Sequence, residues 1–269
     1  MKDQIEVVMD RALWISKTGL ESQQTRMAVI SNNLSNVSTT GYKKSRGIFQ
    51  DLIYQNVRQP GGKTSEDTLL PSGLMLGSGV RTVATEKLHS QGNFIQTENS
   101  FDVAIQGRGY LQILLPSGEV GYSRDGSFRL DDQGRLVTVS GYPVEPGINI
   151  PANAQSVSIS SDGVVSIALP NQPDGTQVGN LTLANFINPA GLQAMGENLY
   201  IETVASGAPQ VGAPGLDGLG TLIQGSLESS NVNVVEELVN MIETQRAYEM
   251  NSKAVSAVDG MLRNLSQTL

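Results

Sequence analysis

His89 is the single imidazole in the chain and cysteine is absent, so thiolate nucleophiles, disulfides, thiolate-ligated zinc and multi-histidine metal clusters are excluded. Any acid, base or nucleophilic chemistry has to be built from hydroxyls and carboxylates around that one ring. A Ser-His-acid arrangement would draw on Ser78 or Ser90, but neither lies in the Gly-x-Ser-x-Gly turn that presents a serine nucleophile at a strand end. His89 itself, in Glu86-Lys87-Leu88-His89-Ser90-Gln91-Gly92, reads as a histidine on the surface of a strand. Gly107-Arg108-Gly109 lacks the third glycine and following helix of a dinucleotide loop, and Gly77-Ser78-Gly79 lacks the Lys-Ser/Thr of a phosphate cradle. Both read as turns. Asp125-Gly126, Asp131-Asp132 and Asp162-Gly163 do not continue into the spaced ligands and closing Glu of a calcium loop. A carboxylate pair such as Asp102 and Asp125 is the remaining arrangement with catalytic potential, since two carboxyls roughly 5–9 Å apart can divide the work of glycoside hydrolysis. The expectation is therefore no catalytic, cofactor-binding or metal-binding residues and no cofactor, with a secreted β-rich hydrolase as a remote alternative.

Composition narrows the partners. The chain has 269 residues, 39% of them hydrophobic, and a formal net charge of −8, which is apolar enough to fold. Residues 1–60 carry eight basic and five acidic side chains, whereas between Arg135 and Arg246 there is no Lys or Arg against ten Asp and Glu. A surface without a cation for so long does not grip a phosphate backbone, so nucleic acid is not an expected partner. No run approaches the roughly 20 apolar residues that span a bilayer, and direct membrane insertion is not expected. Asp3, Glu6 and Asp10 interrupt the start where a secretory signal would be uninterruptedly apolar, so no cleavable signal is expected.

The ends and the middle differ in texture. Leu13, Leu20, Met27 and Leu34 recur every seventh residue, with Met9, Ile30 and Val37 on the neighbouring line, which predicts a helix with an apolar seam. At the other end Val234, Met241, Tyr248, Val255, Leu262 and Leu269 recur at sevens, after candidate N-caps Ser230, Asn231 and Asn233 and with Glu236 and Glu237 in the first turn. Between them, Asp125-Gly126, Gln133-Gly134, Asp162-Gly163 and Asp174-Gly175 separate short alternating runs and read as hairpin turns. The fold class predicted is α+β: a discontinuous, coiled-coil-like module of paired N- and C-terminal helices (1–40 with 227–269), an extended segment (41–80), and an inserted, mainly antiparallel β domain (81–226). The seams leave apolar surface that only neighbouring subunits would cover.

Two runs carry a specific resemblance. Asn32-Asn33-Leu34-Ser35-Asn36-Val37-Ser38-Thr39-Thr40-Gly41-Tyr42-Lys43 resembles the N-terminal motif of the flagellar rod and hook axial proteins, and the run from Gly225 through Asn231, Asn233 and Ile242 to Arg246 and Glu249 is similar to their C-terminal motif. Phe49-Gln50-Asp51-Leu52-Ile53-Tyr54-Gln55, Arg58-Gln59-Pro60-Gly61 and Leu70-Pro71-Ser72-Gly73-Leu74 resemble the segment peculiar to the distal rod members of that family; a proximal rod subunit is the alternative within it. The resemblance implies a structural subunit that polymerises into a straight, rigid helical tube around the export channel and transmits motor torque to the hook. It implies a periplasmic location, from the basal body to the outer membrane. The partners implied are further copies of the chain, proximal rod subunits, the hook or hook-junction protein, the P and L ring proteins and the flagellar type III export apparatus. On this reading Leu13, Leu20, Met27, Ile30, Leu34, Met241, Tyr248, Val255 and Leu262 are subunit-interface positions. Asn33, Asn36, Gly41, Tyr42, Asn231, Asn233 and Arg246 are motif positions, and Phe49, Leu52, Ile53 and Tyr54 anchor a rod-stiffening segment. Family members begin near Leu13-Trp14, which makes Met9 the expected start and residues 1–8 surplus.

Overall fold

A helix of 34 residues lies at each end of the chain: α1, Lys2–Ser35, and α2, Val234–Gln267. They are seen in a computed structural model that describes residues 2–59, 72–170 and 172–267. Both sequences are free of proline, and at 1.5 Å per residue each helix is about 50 Å long. Glu236 and Glu237 in the first turn of α2 favour the positive end of its dipole. No helix among the described residues is long and apolar enough to cross a membrane. Between the helices the regular structure described is strand, apart from one short 3-10 turn at Pro189–Gly191, so the α+β expectation holds.

The chain divides into two compact units. The first consists of Met1–Leu34, Ser45–Glu86 and Val234–Leu269. In it Gly19 lies against α2 so closely that a Cβ there would stand 3.0 Å from Asn251 Nδ2. Strand Ser45–Asp51 is hydrogen-bonded to strand Val80–Lys87, and Tyr54–Arg58 pairs antiparallel with Leu74–Gly77. The segment expected to be extended therefore contributes two strand pairs. Pro60, Gly61, Leu70 and Pro71 of its motif lie outside the described residues. Thr18 Oγ1 accepts from the Val80 amide, and Leu52 N–H donates to the Gly79 carbonyl, so this segment is seated on α1.

The second unit consists of Ser35–Lys44 and Lys87–Asn233. Its largest sheet has seven antiparallel strands, in the order Gln193–Gly196, Leu199–Ile201, Val120–Ser123, Tyr110–Leu114, Leu183–Asn185 and Gln210–Gly212, with Val144–Glu145 also pairing Tyr110–Leu114. Successive side chains on a strand face opposite ways, and both faces here are covered. Leu111, Ile113 and Leu183 enter a large aliphatic core with Val103, Ile105, Phe128 and Ile148, whereas Tyr110 and Ala184 enter an aromatic core with Tyr122, Phe186 and Tyr200. A three-stranded sheet, Ser156–Ile159, Val164–Leu169 and Gln172–Asn180, adds Ile159, Val165 and Ile167 to the aliphatic core.

Turn chemistry is realised at two of the four predicted places. Gly163 turns the hairpin between the first two strands of the small sheet at φ +85°, and Gly134, at φ +79°, does the same between Arg129–Leu130 and Leu136–Val137. Asp125-Gly126 is instead an Asx turn: Asp125 Oδ1 accepts from the amide and hydroxyl of Ser127. Asp174-Gly175 lies inside strand Gln172–Asn180, at the irregular part of its pairing with the adjacent strand Val164–Leu169, and the turn of that hairpin falls before it.

Candidate functional site

The two family-like motifs converge in the second unit on one carboxylate. After α1 the chain turns at Asn36, whose carbonyl accepts from the Thr39 amide and whose side chain accepts from the Thr39 hydroxyl. Gly41 follows at φ +67°, and its amide donates to the Glu228 carbonyl at 2.8 Å. A Cβ at Gly41 would lie 2.6 Å from the Asp125 amide nitrogen, so both conformation and space demand glycine. Tyr42 is buried, with the Lys87 ammonium 4.3 Å from its ring centroid.

Lys43 and Glu228 are then completely buried as an ion pair, with Lys43 Nζ also donating to the Ser90 carbonyl at 2.8 Å. The other Glu228 oxygen accepts from Arg124 at 3.2 Å, and the Gly92 amide donates to Oε1 at 2.8 Å. Arg124, only 5% exposed, sends its other terminal nitrogen to the Gly107 carbonyl. Asn231 completes the joint: its Oδ1 accepts from the Lys44 amide, and its Nδ2 donates to the Leu88 and Ser90 carbonyls. Burial pushes the Lys43 ammonium below its ordinary range, and the Glu228 charge opposes that shift. A carboxylate that already accepts from an ammonium, a guanidinium and an amide has its lone pairs committed. Its work is to hold the 41–44 step, the 88–92 step and strand Ser226–Glu228 together.

Beside this node His89 is not the surface strand histidine that its window predicts. It follows the strand Val80–Lys87 and packs edge-on against Tyr110 and Tyr200, with ring centroids 5.8 and 5.5 Å away, and its Nδ1 is 2.7 Å from the Tyr110 hydroxyl. Burial, followed by the charges of Lys43, Arg124 and Lys87, lowers its pKa to about 4, weakly opposed by the Pro189 carbonyl. Burial also pushes the Tyr110 phenol up to about 12. Asp102 and Asp125 are tied into turns: Asp102 accepts from the Asn99 amide group, and Asp125 from Ser127.

In the first unit the motif residue Asn33 is buried on α1. Its amide group donates to the Ser45 carbonyl and to Glu237 of α2, and its Oδ1 accepts from the Ser45 amide. Asn233 is exposed immediately before α2, and Arg246 is exposed along it. Of the predicted seam, Ile30 is buried; Leu13, Leu20, Met27, Leu34, Met241, Tyr248, Val255 and Leu262 are all half-buried. Among the described residues, the other fully covered helix positions are small or polar, namely Thr18, Ser22, Asn33, Glu237 and Thr244. Phe49 and Leu52 are half-buried, while Ile53 is 81% exposed and Tyr54 is exposed. Glu228 and Arg124 carry the first joint and have no role in the sequence reading, and Glu237, read there only as a first-turn acid of the helix, also accepts from Asn33. The legible signal was an unpaired Lys and Glu, each inside one of the two motifs.

Three family descriptions match in succession: the flagella basal body rod protein over residues 14–43, the flagellar hook protein FlgE/F/G D1 domain over 104–167, and the flagellar basal body rod FlgEFG protein C-terminal over 223–268. Similar relatives are the flagellar basal-body rod protein FlgG of Buchnera aphidicola subsp. Schizaphis graminum, 58% identical over 95% of this chain and 98% of the relative, and that of Caulobacter vibrioides, 46% identical over 96% and 98%. The protein of the same name in Bacillus subtilis is 39% identical over 96% of this chain and 98% of its own length. Both motifs, the joint they build and near full-length identity place the chain in the FlgG family of flagellar basal-body rod proteins, as a structural subunit of the distal rod.

Proposed function

We propose that the chain polymerises into a straight, rigid helical tube that carries motor torque to the hook, with its two long helices paired along the wall around the export channel. The observation that carries this reading is the apolar surface left on the first unit. On α2, Val235 is 70% exposed and Ile242 51% exposed, and with Leu238 and Val239 they form a stripe at helical spacing. Strands Tyr54–Arg58 and Leu74–Gly77 are exposed at every residue, and Val57, Leu74, Met75 and Leu76 are among them. A lone chain leaves this surface in water; neighbouring copies cover it. The half-buried seam positions complete the same contacts, and the Phe49–Tyr54 stretch bridges adjacent subunits to stiffen the tube. Proximal rod subunits, the hook or its junction protein, the P and L rings and the type III export apparatus are the partners of that assembly. Ile242→Asp and Leu262→Asp each place an uncompensated charge at a repeated contact. Both variants are expected to be made and exported but to yield no rod in purified basal bodies viewed by electron microscopy. Rods of normal length from both would overturn the proposed contacts.

A further inference from the structure

The sequence holds five Asp-Gly steps, at positions 125, 162, 174, 217 and 259. Such a step is open to covalent rearrangement, because glycine has no Cβ to keep its backbone nitrogen away from the preceding carboxyl carbon. Four of the five are held against it. Gly126 is packed so tightly that a Cβ would stand 1.7 Å from the Val103 carbonyl oxygen, and Asp125 is tied to Ser127. The Gly163 amide donates to the Ser160 carbonyl at 3.0 Å, and Gly175 lies inside strand Gln172–Asn180. Asp259-Gly260 lies inside α2, with Asp259 ion-paired to Arg263.

Asp217-Gly218 differs in each respect. It is the tip of a loop whose base is pinned: Leu219 is buried in the aliphatic core, the Gly215 amide donates to the Gly220 carbonyl, and the Gly220 amide donates to the Arg108 carbonyl. The Leu219 amide closes the tip on the Leu216 carbonyl at 2.8 Å. Between them Asp217 and Gly218, at φ +52° and +77°, both take the left-handed conformation of a type I′ turn, which is unfavourable for an aspartate. Both are exposed, and a Cβ on Gly218 would meet nothing within 4 Å. Among the described residues, neither the Gly218 amide nor the Asp217 carboxylate makes a hydrogen bond.

We propose that Asp217 is a site of spontaneous isomerisation to isoaspartate in the folded protein. The Gly218 backbone nitrogen bonds to the side-chain carboxyl carbon of Asp217, and the amide proton and the hydroxyl of the protonated carboxyl leave as water, which gives a cyclic imide. Water then adds to either imide carbonyl and one C–N bond breaks. The products are the original aspartate or a main chain routed through the side-chain carbon, with one carboxyl group in either case. Because the base of the loop is pinned, its free tip absorbs the added main-chain atom and the altered chain stays folded.

The test follows the full-length folded chain over weeks at neutral pH and physiological temperature, beside the same chain in urea. Isoaspartate is counted by enzymatic methyl transfer and located by electron-transfer mass spectrometry of chymotryptic peptides, since trypsin leaves the cation-free stretch 136–246 in one piece. In urea all five steps are expected to react. In the folded chain the label is expected to concentrate at Asp217, and to fall there to the level of the other four steps in Asp217→Glu, whose longer side chain closes the imide ring far more slowly. No label at Asp217, a folded-chain pattern equal to that in urea, or labelling unchanged in Asp217→Glu overturns the proposal.

Discussion

Glu228 shows how much one side chain does when it is removed from water. Its carboxylate balances Lys43 and Arg124 and accepts the Gly92 amide, all with its own side chain fully buried. Glu228→Gln keeps the shape but leaves two buried cations without a counter-charge, so urea unfolding should show a loss of about 3–5 kcal/mol. A loss below about 1 kcal/mol would mean that the node is not the fastener described here. His89 makes a second prediction, with a definite sign. Its native pKa of about 4 lies below the ordinary 6.5, so on acidification the unfolded chain takes up a proton that the native state refuses. Its contribution is complete above pH 6.5 and is lost as the pH falls toward 4, on the order of 3 kcal/mol in all. His89→Gln should flatten stability against pH between 6.5 and 5, measured by denaturation at fixed pH steps; an unchanged slope would contradict a neutral, half-buried ring.

Among the elements, the helices and the Ser45–Lys87 region divide two tasks. Side chains fully covered within the first unit are mostly small or hydrogen-bonded, as with Thr18 bonding Ile15, Ser22 bonding Gly19 and Thr244 bonding Asn240. The larger apolar side chains at sevens remain half-covered. That split suits helices that approach closely at Gly19 and keep their aliphatic seams for neighbours. The strand Tyr54–Arg58 and the link before it present Ile53, Tyr54 and Val57 to solvent, and in a polymer each would add contacts that resist subunit sliding. Deleting residues 49–73 is therefore expected to give curved or flexible rods in place of straight ones by electron microscopy. Straight rods of unchanged stiffness would remove the stiffening role from this segment.

For the molecule as a whole, charge is distributed as unevenly as structure. The stretch without Lys or Arg between positions 135 and 246 covers most of the second unit, and Glu197, Glu202 and Asp217 are exposed there. In a rod turning inside a ring bushing, a surface of one sign avoids attractive contacts with a lining that is not basic. Replacing Glu202 and Asp217 by Lys should slow rotation of tethered cells at low ionic strength and recover with added salt. Speeds unaffected at every salt concentration would reduce the acidity to a matter of solubility.

The two helices, the hairpin at Asp162-Gly163, the absence of thiol chemistry and the poverty of imidazoles were all legible in the sequence. They depend on residue type and on spacings of a few positions. The motifs also marked where the chain is most constrained, because Gly41 and Asn231 are each required by their own backbone or amide geometry. What the tertiary structure alone decided is pairing over distance. Lys43 meets Glu228 across 185 positions, and His89 meets Tyr110 and Tyr200 from other strands. Burial and charge balance are properties of the packed whole, so the same histidine that reads as a surface residue in its own window becomes a neutral ring among cations once the sheet closes around it.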